Sequence, residues 1–351
     1  MNTMKSFASD NYAGVLPEII QALLAANTAH ARAYGNDELT TEAKNLFKQI
    51  FQCEVDVFFV FNGTGANVLS IMATTQSYSS VLCSDVSHIV TDESTSSESV
   101  SGCRLVPIQS NEHGKLDPAA VEEKLGRVGD CHAAQPSLIS LTQPTEYGTI
   151  YSIDELKQMS LLAKKHDLYL HIDGARFFNA CASLNCELKD LTTDVGVDIL
   201  SLGGTKIGLM FGEAVVVFNK TLAKHMIYKH KQCMQLFSKQ RFIAAQFNEI
   251  FKNDLWRKAA VHANQMVQIL GKKLLKYSAY IKITKPIQTN AVFAVMPKEW
   301  IDLLSEKFPF YVWNPIINEV RLMCSFDTTE TDIEEFVSVI EKLYGLASGH
   351  L

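Results

Sequence analysis

The chain has 351 residues, is 47% hydrophobic and 20% charged, and carries a formal net charge of -6. That length predicts a large core and more than one domain, and the mild acidity, without a basic stripe interleaved with aromatics, excludes a dedicated nucleic-acid binder. The eight cysteines are scattered with no C-x-x-C pair, the N-terminus has no basic segment followed by an apolar run, and no apolar stretch approaches the roughly 18 residues of a membrane helix. These features predict a reduced, cytoplasmic protein with no disulfide framework, bound metal, signal peptide or membrane contact.

Residues 1–15 read as an irregular arm. Pro17 opens an apolar-periodic helix with Ile19, Ile20, Leu23 and Leu24 on one side, and a turn at Tyr34–Asp37 leads into a helix over 38–49. From Val57 short apolar runs alternate with helical segments. The runs are 57–61, 80–83, 104–108, 137–141, 168–172, 199–202 and 214–218. Between the first two, Asn62-Gly-Thr-Gly-Ala-Asn67 reads as a tight loop. Ser152, with Glu155 three residues on, caps a helix over 153–166. Strands alternating with helices predict an α/β fold, a mostly parallel seven-stranded sheet covered by helices. Beyond about residue 220 the pattern turns helical. Short strands near 281–284, 291–295 and 320–324 then predict a smaller C-terminal α+β domain. The expected division is an arm (1–15), a large domain (16–250) and a small one (251–351).

Two segments carry the chemistry. Asp198-Ile-Leu-Ser-Leu-Gly-Gly-Thr-Lys206-Ile-Gly places one lysine in a glycine-flanked strand exit, where small neighbours leave room for a ligand. His171-Ile-Asp-Gly-Ala-Arg176 ends another apolar strand with Asp173, at the carboxyl end where open α/β sheets bind ligands. A lysine that can form a Schiff base and an aspartate that can keep a pyridinium nitrogen protonated are the protein groups that pyridoxal phosphate (PLP) chemistry needs. Gly63 and Thr64 follow a strand and open a helix, which suits an anion such as phosphate or a plain βα turn. Asp173 also reads as a helix cap, and Arg176 as its structural partner or as an anion binder. His88, after another strand, is either structural or a plate against the cofactor ring. The acidic, hydroxyl-rich run Thr91–Glu98 reads as a solvated loop or helix start.

The ordered set Ser9-Asp-Asn-Tyr-Ala-Gly14, Ala33-Tyr-Gly-Asn-Asp37, Asn62–Asn67, Ser87-His-Ile89, Gln143-Pro-Thr-Glu-Tyr-Gly148, His171–Arg176, Leu202–Lys206 and Arg321-Leu-Met-Cys-Ser325 resembles the low-specificity L-threonine aldolase family, in particular its phenylserine-aldolase-like branch. The resemblance implies a PLP-dependent transferase fold and retro-aldol cleavage of β-hydroxy-α-amino acids to glycine and an aldehyde. By the same resemblance Lys206 would carry PLP, Asp173 would hold the pyridine nitrogen, Gly63 and Thr64 the phosphate, and His88 would stack on the ring. Arg176 would lie near the cofactor and the substrate carboxylate, with Ser9 and Arg321 completing the carboxylate site. Tyr34 would line the site of a neighbouring subunit in a dimer or tetramer, and Lys239 or Arg241 would reach a neighbour's phosphate. Many members carry a histidine beside the β-hydroxyl where this chain has Glu146. An aminotransferase or β-eliminating lyase on the same scaffold, a non-catalytic PLP-fold protein and an NAD-binding protein are the alternatives, the last lacking G-x-G-x-x-G.

Overall fold

The computed structural model describes residues 5–348; residues 1–4 of the expected arm, and 349–351, lie outside them. The seven apolar runs are strands β1 (Asp56–Val60), β2 (Ser79–Ser84), β3 (Arg104–Ile108), β4 (Gln135–Thr142), β5 (Tyr169–Gly174), β6 (Ile199–Leu202) and β7 (Glu213–Val217). They form one sheet in the order β1-β7-β6-β5-β4-β2-β3. β7 runs antiparallel to both its neighbours, and the other pairings are parallel. The direction of β7 matters for the site: its first residue, Glu213, pairs with Val60 at the end of β1 and so lies at the edge where the parallel strands finish. β5 and β6 are buried along nearly their whole length, as strands covered on both faces must be.

Local chemistry sets the helix ends. Pro17 occupies the first turn of helix Pro17–Ala26, where its missing N–H costs nothing. Of the four residues expected on its inner side, Ile19 is fully buried and Leu24 faces solvent. The Ser152–Glu155 capping box is present, the Ser152 N–H donating to Glu155 Oε2 at 2.6 Å and the Glu155 N–H to Ser152 Oγ at 3.2 Å. The Asn62–Asn67 segment differs from the expected loop. Helix Gly63–Thr74 already begins at Gly63, because Asn62 caps it by accepting from the Gly65 N–H at 2.8 Å.

A second, four-stranded antiparallel sheet runs β10-β11-β9-β8, from β8 (Lys282–Ile283), β9 (Ala291–Val295), β10 (Tyr311–Asn314) and β11 (Glu319–Met323). β10, Tyr-Val-Trp-Asn, escaped the sequence reading because it is a short, half-exposed edge strand. Helix Leu255–Leu274 joins the two halves. Its Trp256, Ala259 and Ala260 pack in the core under the large sheet, while Met266, Val267, Leu270 and Leu274 pack against the small one. The described part of the arm begins at Lys5. Phe7 is buried against Phe308 and Phe336, its N–H donates to the Pro309 carbonyl at 2.8 Å, and its carbonyl accepts from the Met323 N–H at 2.8 Å. The arm therefore extends the small sheet and delivers residues 8–12 to the junction between the halves.

Candidate active site

Lys206 sits in a short 3-10 turn, Thr205–Ile207, just beyond β6. The turn fits only because Gly203 and Gly204 lack side chains. A Cβ on Gly203 would collide with the Ala175 carbonyl, and one on Gly204 with that of Gly212. The close approach at Gly203 brings the exits of β5 and β6 together, tied by the Gly203 N–H to the Gly174 carbonyl at 3.0 Å. Glu213 completes the support, its Oε2 accepting from the Gly204 N–H and, at 3.4 Å, from the Thr205 N–H. Burial raises the Glu213 carboxyl to about 7. Burial also lowers the Lys206 amine from its usual range, with Arg176 pushing the same way, which favours the neutral, nucleophilic form.

Lys206 and Asp173 line one cavity of about 280 Å³, with Gly63, Thr64, His88 and Glu213 also on its wall. Asp173 is buried at the end of β5. Its Oδ1 accepts from the Ala175 N–H at 3.1 Å and its Oδ2 from Asn67 Nδ2 at 2.9 Å. Asp173 thus braces the turn after β5 but is not the expected helix cap: helix Phe177–Leu184 starts two residues beyond Ala175, with Arg176 at its N-cap and no side-chain cap bond. Asn67 Nδ2 also donates to Glu93 Oε1 at 2.8 Å, and that same oxygen lies 2.8 Å from His88 Nδ1. The Glu93 contact raises the His88 imidazole above its usual range, against the effect of burial. The backbone N–H of His88 donates to Glu146 Oε1 at 2.8 Å, while Glu146 Oε2 is sealed from solvent with no hydrogen-bond partner among the described residues. Burial lifts the Glu146 carboxyl to about 7, and repulsion from Asp173 adds to it.

The cationic side of the site differs from one expectation. Arg176 pairs with Asp10 of the arm rather than with Asp173, through Nε at 2.7 Å and Nη2 at 2.8 Å. The fork geometry of two parallel N–H donors explains the preference. Burial works against the charge on Asp10, but Arg176 outweighs it and holds that carboxyl below the usual range, with Asn290 Nδ2 donating at 3.1 Å. Arg321 lies over the faces of Tyr311 and Trp313, its Cζ 5.2 and 5.0 Å from the ring centroids. Its Nη2 donates to the Ala8 carbonyl at 3.3 Å, and its buried Nε has no partner among the described residues. Burial lowers the guanidinium to about 10, with Arg176 contributing. Ser9 stands beside this pair, its hydroxyl 3.4 Å from Asp10 Oδ1. Ser9, Glu146, Arg176 and Arg321 lie behind the cavity wall rather than on it, and Tyr34 and Lys239 are in neither place. They lie together on the surface, where the Tyr34 N–H donates to the Ser238 carbonyl at 2.9 Å, and Arg241 donates to the carbonyls of Thr28 and Ala29.

Four side chains that hold the candidate site together were not singled out from the sequence: Asp10, Asn67, Glu93 and Glu213. Glu93 reverses the reading of the 91–98 run as solvated, since its side chain is 0% exposed. Asn67 left a faint signal, a polar residue on the same helix face as Ser70 and Thr74, all three buried. Glu213 left none, because its place depends on the reversed direction of β7.

The residues fit PLP on independent observations. The Gly63 and Thr64 amides, in the first turn of a helix, donate to no described residue and suit a phosphate. The recessed Lys206 amine has no hydrogen-bond partner among the described residues, and Asp173 stands on the same wall as an acceptor for a ring N–H. The comparisons agree. The sequence profile of the beta-eliminating lyase family matches residues 6–299, and the chain belongs to that family of PLP-dependent lyases. The particular relatives it resembles are low-specificity L-threonine aldolases. It is 40% identical to the one from Pseudomonas aeruginosa, over 97% of this chain and 98% of that one. It is equally identical to that of another Pseudomonas, over 96% and 97%. Among solved structures, Leishmania major threonine aldolase superposes with a TM-score of 0.92 at 29% identity, covering 97% of this chain and 99% of that one.

Proposed function

We propose that the chain cleaves L-threonine and related β-hydroxy-α-amino acids, such as phenylserine, to glycine and an aldehyde. The observation that carries this reading is that Lys206, its amine lowered by burial, and the buried Asp173 line one cavity, with Arg176 near enough to lower both Lys206 and Arg321. PLP supplies a carbonyl carbon for amine capture and a ring that withdraws electrons from the substrate α-carbon. The protein does the rest. Lys206 holds the cofactor, Gly63 and Thr64 bind its phosphate, and Asp173 keeps the ring nitrogen protonated. Arg321, whose Nε is free to donate, takes the substrate carboxylate, with Ser9 and Arg176 beside it. That clamp decides which bond at the α-carbon is aligned for cleavage. His88, through Nε2, accepts the β-hydroxyl proton, and Glu146 lies behind the same space.

The Tyr34–Lys239 surface supports an assembly of two or four copies in the cytoplasm. Exposed Tyr34, Phe61 and Met234 lie close in it, Phe61 stacked on Phe211 and its N–H bonded to Gln235. All eight cysteines are unpaired, as a reducing compartment requires. A large domain over 16–250 and a small one over 251–351 is supported by two cores, although Phe7 packs in the second and Trp256, Ala259 and Ala260 pack in the first. The test of function is product analysis with PLP-loaded protein. Glycine and aldehyde in equal amounts from L-threonine or L-phenylserine support it. A 2-oxo acid with ammonia and no aldehyde would instead assign an eliminating lyase.

A further inference from the structure

Glu93 is a carboxylate with no exposure at all, and burying such a charge is costly unless specific donors hold it. Both of its contacts converge on Oε1: His88 Nδ1 at 2.8 Å and Asn67 Nδ2 at 2.8 Å. An amide NH₂ has two protons and only donates. Asn67 directs one to Glu93 and the other to Asp173 Oδ2 at 2.9 Å, so two buried carboxylates share a single amide. Turning that amide over would set its oxygen against both carboxylates, which fixes its orientation. With Oε1 accepting from Asn67 and from His88, the His88 proton belongs on Nδ1. Its Nε2 has no hydrogen-bond partner among the described residues.

The backbone bears the mark of this arrangement. His88 opens the short helix His88–Thr91, and Glu93 follows. Ser94 and Thr95 then adopt left-handed conformations, φ +49° and +58°. That region disfavours both residues, and β-branched Thr95 most. The turn swings the chain so that Glu93 points inward while Ser94 and Thr95 themselves face solvent.

We propose that Glu93 and Asn67 are positioning residues: Glu93 fixes His88 with its proton on Nδ1 and its Nε2 available to the substrate hydroxyl, and Asn67 ties that ring to Asp173. This rests on the reading of His88 as the proton acceptor. The group that binds the cofactor nitrogen and the group that takes the substrate proton then move as one unit, linked through a single amide. The groups facing His88 sort by sign: Glu93 and Asp173 favour its protonated form, and Lys206 opposes it. Glu146 meets it only at the backbone.

The test is nuclear magnetic resonance of PLP-loaded protein labelled at the histidine rings, with the His88 signals identified by their loss in His88→Asn. In the wild-type chain the neutral His88 ring is expected as the Nδ1–H tautomer; finding the Nε2–H tautomer would overturn the proposal without any variant. In Glu93→Gln, which keeps shape and removes charge, the His88 midpoint is expected to fall by about one pH unit or more, a tenfold loss of proton affinity. The pH profile of kcat is expected to move with it while KM changes little. A midpoint within about 0.3 unit of wild type, a twofold change, would overturn the assignment even if aldehyde release continues. A wild-type chain with the expected tautomer and midpoint but no aldehyde release would leave Glu93 as the positioning residue and remove the aldolase reading instead.

Discussion

Glu146 and Glu213 are two carboxyl groups that burial raises to about 7 within one site. They differ in what holds them. Glu213 accepts backbone N–H groups, whereas Glu146 Oε2 has no partner among the described residues. For a carboxyl whose folded-state value is raised, the folded chain binds the proton more tightly than the unfolded chain. Its stabilising effect is therefore present at low pH and is lost as pH rises from the ordinary carboxylate range through about 7. Glu146→Gln removes that dependence. We expect it to stabilise the cofactor-free protein by about 1–3 kcal/mol at pH 8 and by little at pH 5, read from urea unfolding. Equal effects at the two pH values would contradict the protonation assigned to Glu146. At this scale Lys206 and Asp173 were legible because each ends a strongly apolar run, so that a charge there stands out. Glu93 was hidden in a run of acidic and hydroxyl residues, and only the inward turn at Ser94 and Thr95 reveals it.

At the scale of elements, the site is made by strand ends. β5 supplies Asp173, the turn after β6 supplies Lys206, and helix Gly63–Thr74 presents its first turn to the same cavity. The spacing between β5 and β6 depends on Gly203 lying against Ala175. Gly203→Ala must push backbone against backbone, because no flexible side chain can yield. We expect about 1–3 kcal/mol of destabilisation and a weaker hold on PLP, measured by urea unfolding and by cofactor titration. Unchanged stability and PLP affinity would show that the two exits have slack. The seven strands of the large sheet were legible from apolar runs bounded by turn residues. The reversal of β7 was not, because a short buried strand reads the same in either direction, and with it went the placement of Glu213. β10 was missed because half-exposed edge strands lack an apolar signature.

At the scale of the molecule, the arm and helix Leu255–Leu274 bind the two halves. The arm seats Phe7 in the small core, and three residues later Asp10 clamps Arg176 on the large one. Asp10, Ser9 and Ala8 thereby position the side of the site proposed to bind the carboxylate, from a segment that reads as irregular. Phe7→Ala should cost about 3–5 kcal/mol, as expected for a fully buried ring. It should also raise KM for the amino acid, since Asp10 loses its anchor. A loss below about 1 kcal/mol with unchanged KM would mean that the arm's position does not depend on Phe7. This coupling was not legible beforehand: the order of motifs along the chain carried the fold class and the proposed site, but not the contact between the arm and Arg176. The central claim is that Lys206 carries the cofactor. It is tested most directly by loading the protein with PLP, reducing with borohydride and mapping the modified peptide by mass. The account predicts a single adduct on Lys206, absent in Lys206→Ala; an adduct on another lysine, or none, would contradict it.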